Sequence, residues 1–429
     1  MGRRNLRPES IRPPPALHST RRITNPPLSR LRGTTRWPSQ PLRSAANVLV
    51  SKSISQPVPT SHTQSGKDIV LKIGIVGLNM VGKTTLFKIL TRARGDKLAG
   101  GKPEAHLGVV KVPDARLDCL AGMFNPKKLV HASIEYVDTP ASVIQLARTG
   151  TQSAALKEMD ALVHVVRVFE DPAIPAEGGN VDARRDIESV ELELVLSDLA
   201  IIEKRLERLD KDIKKQKNPA LEKEHQALLR AKLALEAQTP LREMDFVADD
   251  ERALRGFTFL SIKPMLYVLN LGEKDAPRAN AAEEFAHQAG LKQRPRTAVT
   301  AVCGKIEEEL SELGDEDSGE FLASYGLKES AISRLIRSSY QLLGLISFFT
   351  VGEDECRAWT IREGMTALDA AGAIHSDIQH GFIRAEVIPY QDLMDAGGFA
   401  EARTRGTLRL EGKEYLVHDG EIVHFRHSG

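Results

Sequence analysis

The sequence predicts an α/β protein in three parts: a mostly parallel sheet with helices on its faces, a helical hairpin inserted into it, and a small strand-rich block at the end. Three observations carry that reading. From Leu71 to about Glu170 apolar runs alternate with helical stretches, the pattern of strands joined by crossover helices. Between Ile187 and Leu241 the apolar period changes to three and four, as in a helix seam. From about Ile346 to His427 short strands recur around one helical stretch, as in a small mixed sheet gripping a helix.

The first strand is the β-branched run Ile73 to Val76, and the turn after it carries the chemistry. Gly77, Gly82, Lys83 and Thr84 stand in the order Gly-x4-Gly-Lys-Thr directly after that strand. Gly77 lets the backbone turn, and Lys83 to Leu90 reads as the start of a helix, so the spacing predicts a phosphate-binding loop. Phosphate would sit on the free N–H groups of the helix N-terminus, cradled by Asn79, Met80, Val81, Gly82, Lys83, Thr84 and Thr85. Lys83 can reach the β and γ phosphates, and Thr84 can ligate Mg²⁺.

Val109 to Val112, Ala132 to Val137 and Ala161 to Val166 read as further strands. Asp138 follows the second of these, and a carboxylate at a strand's C-terminal end beside a phosphate loop is placed to hold Mg²⁺, with an ordinary turn Asp before Pro140 as the other reading. Leu192, Val195, Leu199, Ile202, Leu206, Leu209 and Ile213 form a heptad seam, which Asn218-Pro219 breaks. Leu221, Leu228 and Leu235 resume a seven-residue spacing, so an antiparallel hairpin with two seams facing each other is expected, its charges forming a solvated face.

The sheet resumes at Pro264 to Leu269 and ends in Asn270-Leu271-Gly272-Glu273. In P-loop GTPases this place carries Asn-Lys-x-Asp, whose carboxylate accepts two N–H donors of guanine. Here Leu271 and Glu273 replace Lys and Asp. Adenine offers an acceptor where guanine offers a ring N–H, so this departure leaves ATP open as the nucleotide. Val299 to Lys305 reads as the last strand and a loop beside the base, with Cys303 and Gly304 in contact with it. In the C-terminal block His375, His380, Arg384, Arg405, Arg409 and Arg426 read either as a polyanion-binding face or as scattered surface groups.

Length and composition bound these readings. A chain of 429 residues suggests two or three domains at ~150 residues each. With 41% hydrophobic and 27% charged residues it resembles an ordinary soluble protein, and a net charge of +1 gives no global pull toward polyanions. The three cysteines, Cys119, Cys303 and Cys356, lack CxxC spacing, which suggests neither a zinc site nor a disulfide framework and fits a reducing compartment. No apolar run approaches the ~20 residues needed to cross a bilayer. Residues 1–67 hold ten arginines against the single acidic Glu9, with much Pro and Ser, and are expected to be a disordered tail. They lack a signal-peptide h-region; their Arg- and Ser-rich, acid-poor composition resembles a transit peptide, but their Pro clusters argue against its amphipathic helix and favour a dispensable tail or an upstream start codon.

With the phosphate loop, the helical arm, Asn270 to Glu273 and the C-terminal block in this order, the chain resembles the Obg-like ATPases, the YchF family of translation-factor-class P-loop NTPases. The resemblance runs from Leu71 to the end. Its most specific stretches are Arg334 to Thr350, Ala358 to Arg362, His375-Ser-Asp and Gly381 to Glu386, joined by Gly108 to Leu117 and His164 to Arg167. It implies a Ras-like P-loop domain at 68–345 with a coiled-coil insertion at about 186–241, and a ubiquitin-like β-grasp TGS domain at 346–429. It further implies ATP preferred over GTP, slow hydrolysis, and association with ribosome or RNA in translation and stress control; Mg²⁺, a cytoplasmic location and contact through the TGS domain and the arm are expected with it.

The chain departs from that family at named places. Met80 occupies the position of the family's phosphate-loop Asn, Asn79 standing one place early, and Lys102-Pro103-Glu104 has no first-switch Thr. The second switch reads Asp138-Thr-Pro-Ala-Ser142 and lacks its Gly, whose N–H swings onto the γ-phosphate. Ser142 stands where the family has an apolar residue in place of a catalytic Gln, and Ser142 or Gln145 is the group available to orient water beside catalytic Lys83. These departures support a second reading, a nucleotide-dependent binding scaffold with little or no hydrolysis. A metabolic kinase is disfavoured, since no acceptor pocket or lid signature is present.

Overall fold

The computed structural model describes residues 71–91, 106–138, 153–216, 218–291 and 294–428. The tail at 1–67, Lys102-Pro103-Glu104, Ser142 and Gln145 lie outside the described residues.

Seven strands come from the first three quarters of the chain: β1 (Lys72–Val76), β2 (His106–Lys111), β3 (Lys128–Val130), β4 (Ser133–Asp138), β5 (Ala161–Arg167), β6 (Met265–Asn270) and β7 (Thr297–Val302). All but β3 form one sheet in the order β2-β4-β1-β5-β6-β7. β4, β1, β5, β6 and β7 are parallel, and every residue of β5 and β6 is buried, as befits strands covered by helices on both faces. β2 departs from the expected direction and joins β4 antiparallel. An edge strand needs only one partner, and either direction satisfies its N–H and C=O groups, so its apolar pattern does not encode which one forms.

Helices α1 (Lys83–Thr91), α2 (Ala115–Phe124) and α3 (Ser153–Lys157) accompany the first half of this sheet. Between β5 and β6 the chain leaves the sheet as α4 (Ala183–Lys215) and returns as α5 (Pro219–Glu236). Asp182 caps α4 by accepting the N–H of Arg185 at 3.0 Å, and Asn218 caps α5 by accepting that of Ala220 at 2.9 Å. Pro219 at the first helical position lacks only an N–H that would have no intrahelical partner.

Val195, Ile202, Leu206 and Leu209 of α4 meet Ala227, Leu228, Ala231 and Leu235 of α5 in one buried seam. Leu192 does not join it and is 42% exposed. At that end of α4, Ile187, Val190 and Leu194 pack into the core of the sheet, so the buried face of the helix is turned toward the sheet rather than toward α5.

The chain regains the sheet through polar anchors. Asp198 is fully buried on α4 and accepts the N–H groups of Leu260 at 2.9 Å and Ser261 at 2.7 Å. Arg242, also fully buried, pairs with Glu191, whose Oε1 accepts the Tyr267 hydroxyl at 2.5 Å.

The return segment carries α6 (Ala248–Leu254), and beyond β6 come α7 (Ala282–Gln288), α8 (Gly304–Glu312) and α9 (Asp315–Ser324). α10 (Ala331–Leu342) then leads into a second sheet of β8 (Leu345–Thr350), β9 (Glu355–Arg362), β10 (Phe382–Pro389), β11 (Arg409–Glu411) and β12 (Glu421–His427). Its order is β11-β10-β12-β8-β9-β3, so the outermost strand is Lys128–Val130 from far upstream. Helix α11 (Ala367–Ile374) packs Ala367, Ala370 and Ala371 against one face, over Phe348, Val387 and Phe425. On the other face Phe349, Ile388 and Ile422 belong to the core shared with the first sheet. Tyr415 to Val417 forms no strand and makes only an isolated bridge from Leu416 to Thr366.

Burial raises the Asp198 carboxyl from its ordinary 3.8 to about 6, hydrogen bonding from the Ser261 side chain and from the two backbone N–H groups opposing this only in part. Between those values the folded chain keeps a proton that the unfolded chain has released, so this group's share of stability falls as pH rises from about 4 to 6. Asp198→Asn is expected to flatten that part of the stability profile in urea titrations. Asp198→Ala leaves two buried N–H groups unpaired and is expected to cost about 2–4 kcal/mol at neutral pH.

Candidate functional site

The segment between β1 and α1 is shaped by close approaches that exclude a side chain at two places. Gly77 has φ +147°, and a Cβ there would lie 2.6 Å from the carbonyl oxygen of Val165. Gly82 has φ +100°, and a Cβ there would lie 2.5 Å from Nδ2 of Asn270. Between them Met80 takes a left-handed conformation at φ 58° with its side chain exposed, Val81 is buried and Asn79 is exposed.

Helix α1 begins at Lys83, which puts the unpaired N–H groups of its first turn at the end of this loop. Lys83 is 6% exposed, and its ammonium folds back to donate to Gly77 O at 3.2 Å and Leu78 O at 2.6 Å. Burial pulls its pKa below the usual lysine value, against the fields of Asp138 and Glu177. Free N–H groups, a helix N-terminus and a buried ammonium together make a receptor for a multiply charged anion.

Thr84 sits one residue further and donates its hydroxyl to Oδ2 of Asp138 at 3.0 Å, while Thr85 is half-buried. Asp138 ends β4 and is fully buried, and its Oδ1 has no hydrogen-bond partner among the described residues. Its pKa is raised by burial, with Thr84, Lys83 and His106 pulling the other way. A hydroxyl and a carboxylate with a free buried oxygen are hard oxygen donors of the kind Mg²⁺ takes, so the pair fits that ion. Among the described residues no group of three His, Cys, Asp or Glu side chains forms another metal cluster.

The far side of the loop is held by Asn270 at the end of β6, whose Nδ2 donates to Val81 O at 3.0 Å and whose Oδ1 accepts the Gly304 N–H at 3.1 Å. Leu271 is 2% exposed in the main core, with its N–H on Val302 O at 2.7 Å. Cys303 is likewise buried beside Ala276 and Ile306, and burial raises its thiol pKa. The side chains of Leu271 and Cys303 are thus core contacts, Asn270 and Gly304 are buried against the loop, and Glu273 is the exposed group of this set. Glu273 is half exposed and paired through Oε1 with Lys305 at 2.7 Å.

The structure therefore brings Asn79 to Thr85, Asp138, Asn270, Glu273 and Gly304 together at the C-terminal ends of parallel strands, the usual crevice of open α/β sheets. It does not assemble the six basic residues of the C-terminal block. Arg384 lies beside Arg426 across β10 and β12. Arg409 stands opposite Val387 on the other face and pairs with Glu421. Arg405 pairs with Glu401, while His375 caps the short helix Ser376–His380. One residue escaped the sequence reading. Glu177 accepts the Asn79 N–H at 3.2 Å across 98 positions of chain, a contact that no local pattern announces.

Known proteins share this order of parts. The family model YchF-GTPase_C, "Protein of unknown function (DUF933)", matches residues 345–428. A protein named ribosome-binding ATPase YchF from Bacillus subtilis (strain 168) is 40% identical over 367 residues, covering 83% of this chain and 99% of the relative. The protein of the same name from Escherichia coli O157:H7 is 38% identical over 366 residues, covering 82% of this chain and 98% of its own. A solved structure described as the Schizosaccharomyces pombe YchF GTPase superposes with a TM-score of 0.70 at 29% identity, covering 85% of this chain and all of that one. Likeness of this extent, running through loop, arm and second sheet at once, makes this chain a member of the YchF family.

Proposed function

We propose that this chain binds a nucleoside triphosphate with Mg²⁺ on the loop Gly77–Thr84, takes ATP in preference to GTP, hydrolyses it slowly, and associates with the ribosome from the cytoplasm. The observation that carries the nucleotide reading is the Lys83 ammonium bonded to Gly77 O and Leu78 O beneath the first turn of α1. The ribosome reading rests on relatives named ribosome-binding ATPases at 38–40% identity over nearly their whole length.

In this proposal the N–H groups of Asn79 to Thr85 hold the phosphates, and Lys83 offsets charge that gathers on the outer oxygens. Thr84 and Asp138 hold Mg²⁺, which when bound neutralises phosphate charge. Asn270 fixes the loop against β6 so that these donors are in place before the nucleotide arrives. Ser142, outside the described residues, is kept as the group that orients water. ATP preference is supported by Glu273, because Lys305 already engages Oε1 and a carboxylate so engaged has less to offer guanine's paired N–H donors. A TGS-type C-terminal domain and the arm remain the proposed ribosome or RNA contacts.

A nucleotide-dependent scaffold with negligible turnover is the second reading, favoured by the missing Gly in Asp138-Thr-Pro-Ala-Ser142. Calorimetry of the full chain with Mg²⁺ and ATP or GTP, followed by single turnover on the same sample, separates these. ATP preference with slow turnover supports the ATPase, tight binding without turnover supports the scaffold, and GTP preference sinks the reading of Glu273. Lys83→Ala is expected to abolish turnover, and an unchanged rate in that variant would remove the assignment. Asn270→Ala, which unties the loop from β6, is expected to weaken nucleotide binding about tenfold, in line with about 1–2 kcal/mol for a lost buried hydrogen-bonding group.

A further inference from the structure

Glu177 lies in the segment that joins β5 to α4, and its carboxylate hydrogen-bonds the backbone N–H of Asn79 in the phosphate loop. Among the described residues, the fields of the Asp138 and Glu177 carboxylates act on the Lys83 ammonium. The segment is held in shape by its own cation. Arg167 is 3% exposed, lies 4.4 Å above the Phe169 ring, and donates to Phe169 O at 3.1 Å, Ile174 O at 2.9 Å and Pro175 O at 3.3 Å.

The other end is fastened to the arm. Nη2 of Arg185, in the first turn of α4, donates to Glu177 O at 2.8 Å, Asn180 O at 2.9 Å and Oδ1 of Asp186 at 2.8 Å. Gly178 supplies the φ of +86° that this turn takes, and a Cβ there would lie 2.8 Å from Nη1 of Arg185. Glu177 thus has its side chain on the phosphate loop and its carbonyl on the arm.

A carboxylate on a loop N–H, within the field of a buried ammonium, occupies the place of an anion. The inner phosphates of a nucleotide belong on the helix N-terminus at Lys83 and Thr84, whereas Asn79 lies at the opposite end of the loop, next to the Leu78 carbonyl that binds Lys83. Resting on the nucleotide reading above, we propose that Glu177 competes with the terminal phosphate of a nucleoside triphosphate for the Asn79 N–H. Triphosphate binding displaces the carboxylate, diphosphate binding leaves it in place, and the displacement reaches the first turn of α4 through Arg185. Glu177 is then a specificity-determining residue for phosphate number and the link from the site to the arm.

The test is calorimetry with Mg²⁺ and either a non-hydrolysable β,γ-imido analogue of ATP or ADP, on the full chain and on Glu177→Gln, which keeps the size and removes the charge. Expected is a gain of about fivefold or more in analogue affinity, the low end of ordinary coupling between linked states, with ADP changed less than twofold. Hydrogen exchange of the natural chain over 177–186 is expected to rise with the analogue and not with ADP. Equal shifts for both nucleotides would mean a purely structural Glu177 and overturn the proposal. Unchanged affinities with a slower single turnover of ATP would make Glu177 a water-orienting group and overturn it too. Loss of binding by the natural chain to both nucleotides would sink the nucleotide reading itself, whereas normal binding with an unmoved ratio sinks only Glu177.

Discussion

The side-chain amide of Asn270 is the joint on which the site depends. It donates to Val81 O in the loop and accepts from Gly304 at the head of α8, so one planar group sets the spacing of two segments more than two hundred residues apart. An Asp could accept from Gly304 but could not donate to Val81, and only an amide serves both. The approach is close enough that Gly82 must lack a Cβ. β6 lends the amide its rigidity, being buried on both faces between β5 and β7. Preorganised N–H donors depend on such a frame, because a loop free to relax would lose the electrostatic advantage of donors fixed in advance.

The arm is not appended to the sheet but seated in it by buried charge. Glu191 of α4, Arg242 and the Tyr267 hydroxyl of β6 form one cluster, with the His164 ring 5.7 Å from that of Tyr267. Burial holds His164 down at about 4, so it stays neutral and adds no second cation beside Arg242. Removing either partner would strand a buried charge, which costs far more than the pair itself contributes. The cluster is therefore better understood as fixing where the arm emerges than as a source of net stability. Since the segment carrying Glu177 runs from β5 directly into α4, the base of the arm and the phosphate loop share a short mechanical path.

The second sheet is tied to the first with similar economy. β3, cut from the chain just before β4, pairs parallel with β9 and gives that sheet its last strand. Arg116 grips Asp114 on its own helix cap and Asp419 beyond β11, lying 5.3 Å over the Phe349 ring. Tyr136, fully buried on β4, donates to Ser339 of α10 at 2.9 Å, two residues before Asp138 on the same strand. The strand that presents Asp138 toward Thr84 is thereby anchored to the helix that leads into the second sheet.

By itself the sequence determined whatever depends on local spacing. Gly77 and Gly82 flank a loop because backbone turns of that kind need their positive φ, Lys83 and Thr84 open a helix, and the heptads of α4 and α5 find each other because a seam has no other way to leave water. Asn270 was legible as a site residue from its place at a strand end. Tertiary structure decided what is settled by packing between distant segments. The direction of β2, the transfer of Lys128–Val130 to the second sheet and the exposure of Leu192 follow from which neighbour each element meets, and period alone carries no such information. Leu271 and Cys303 turned inward because the core at the ends of β6 and β7 needed filling. Glu177 meets Asn79 from a segment that the buried Arg167 holds through its carbonyls, a relation between residues whose contact depends on where the sheet places both ends.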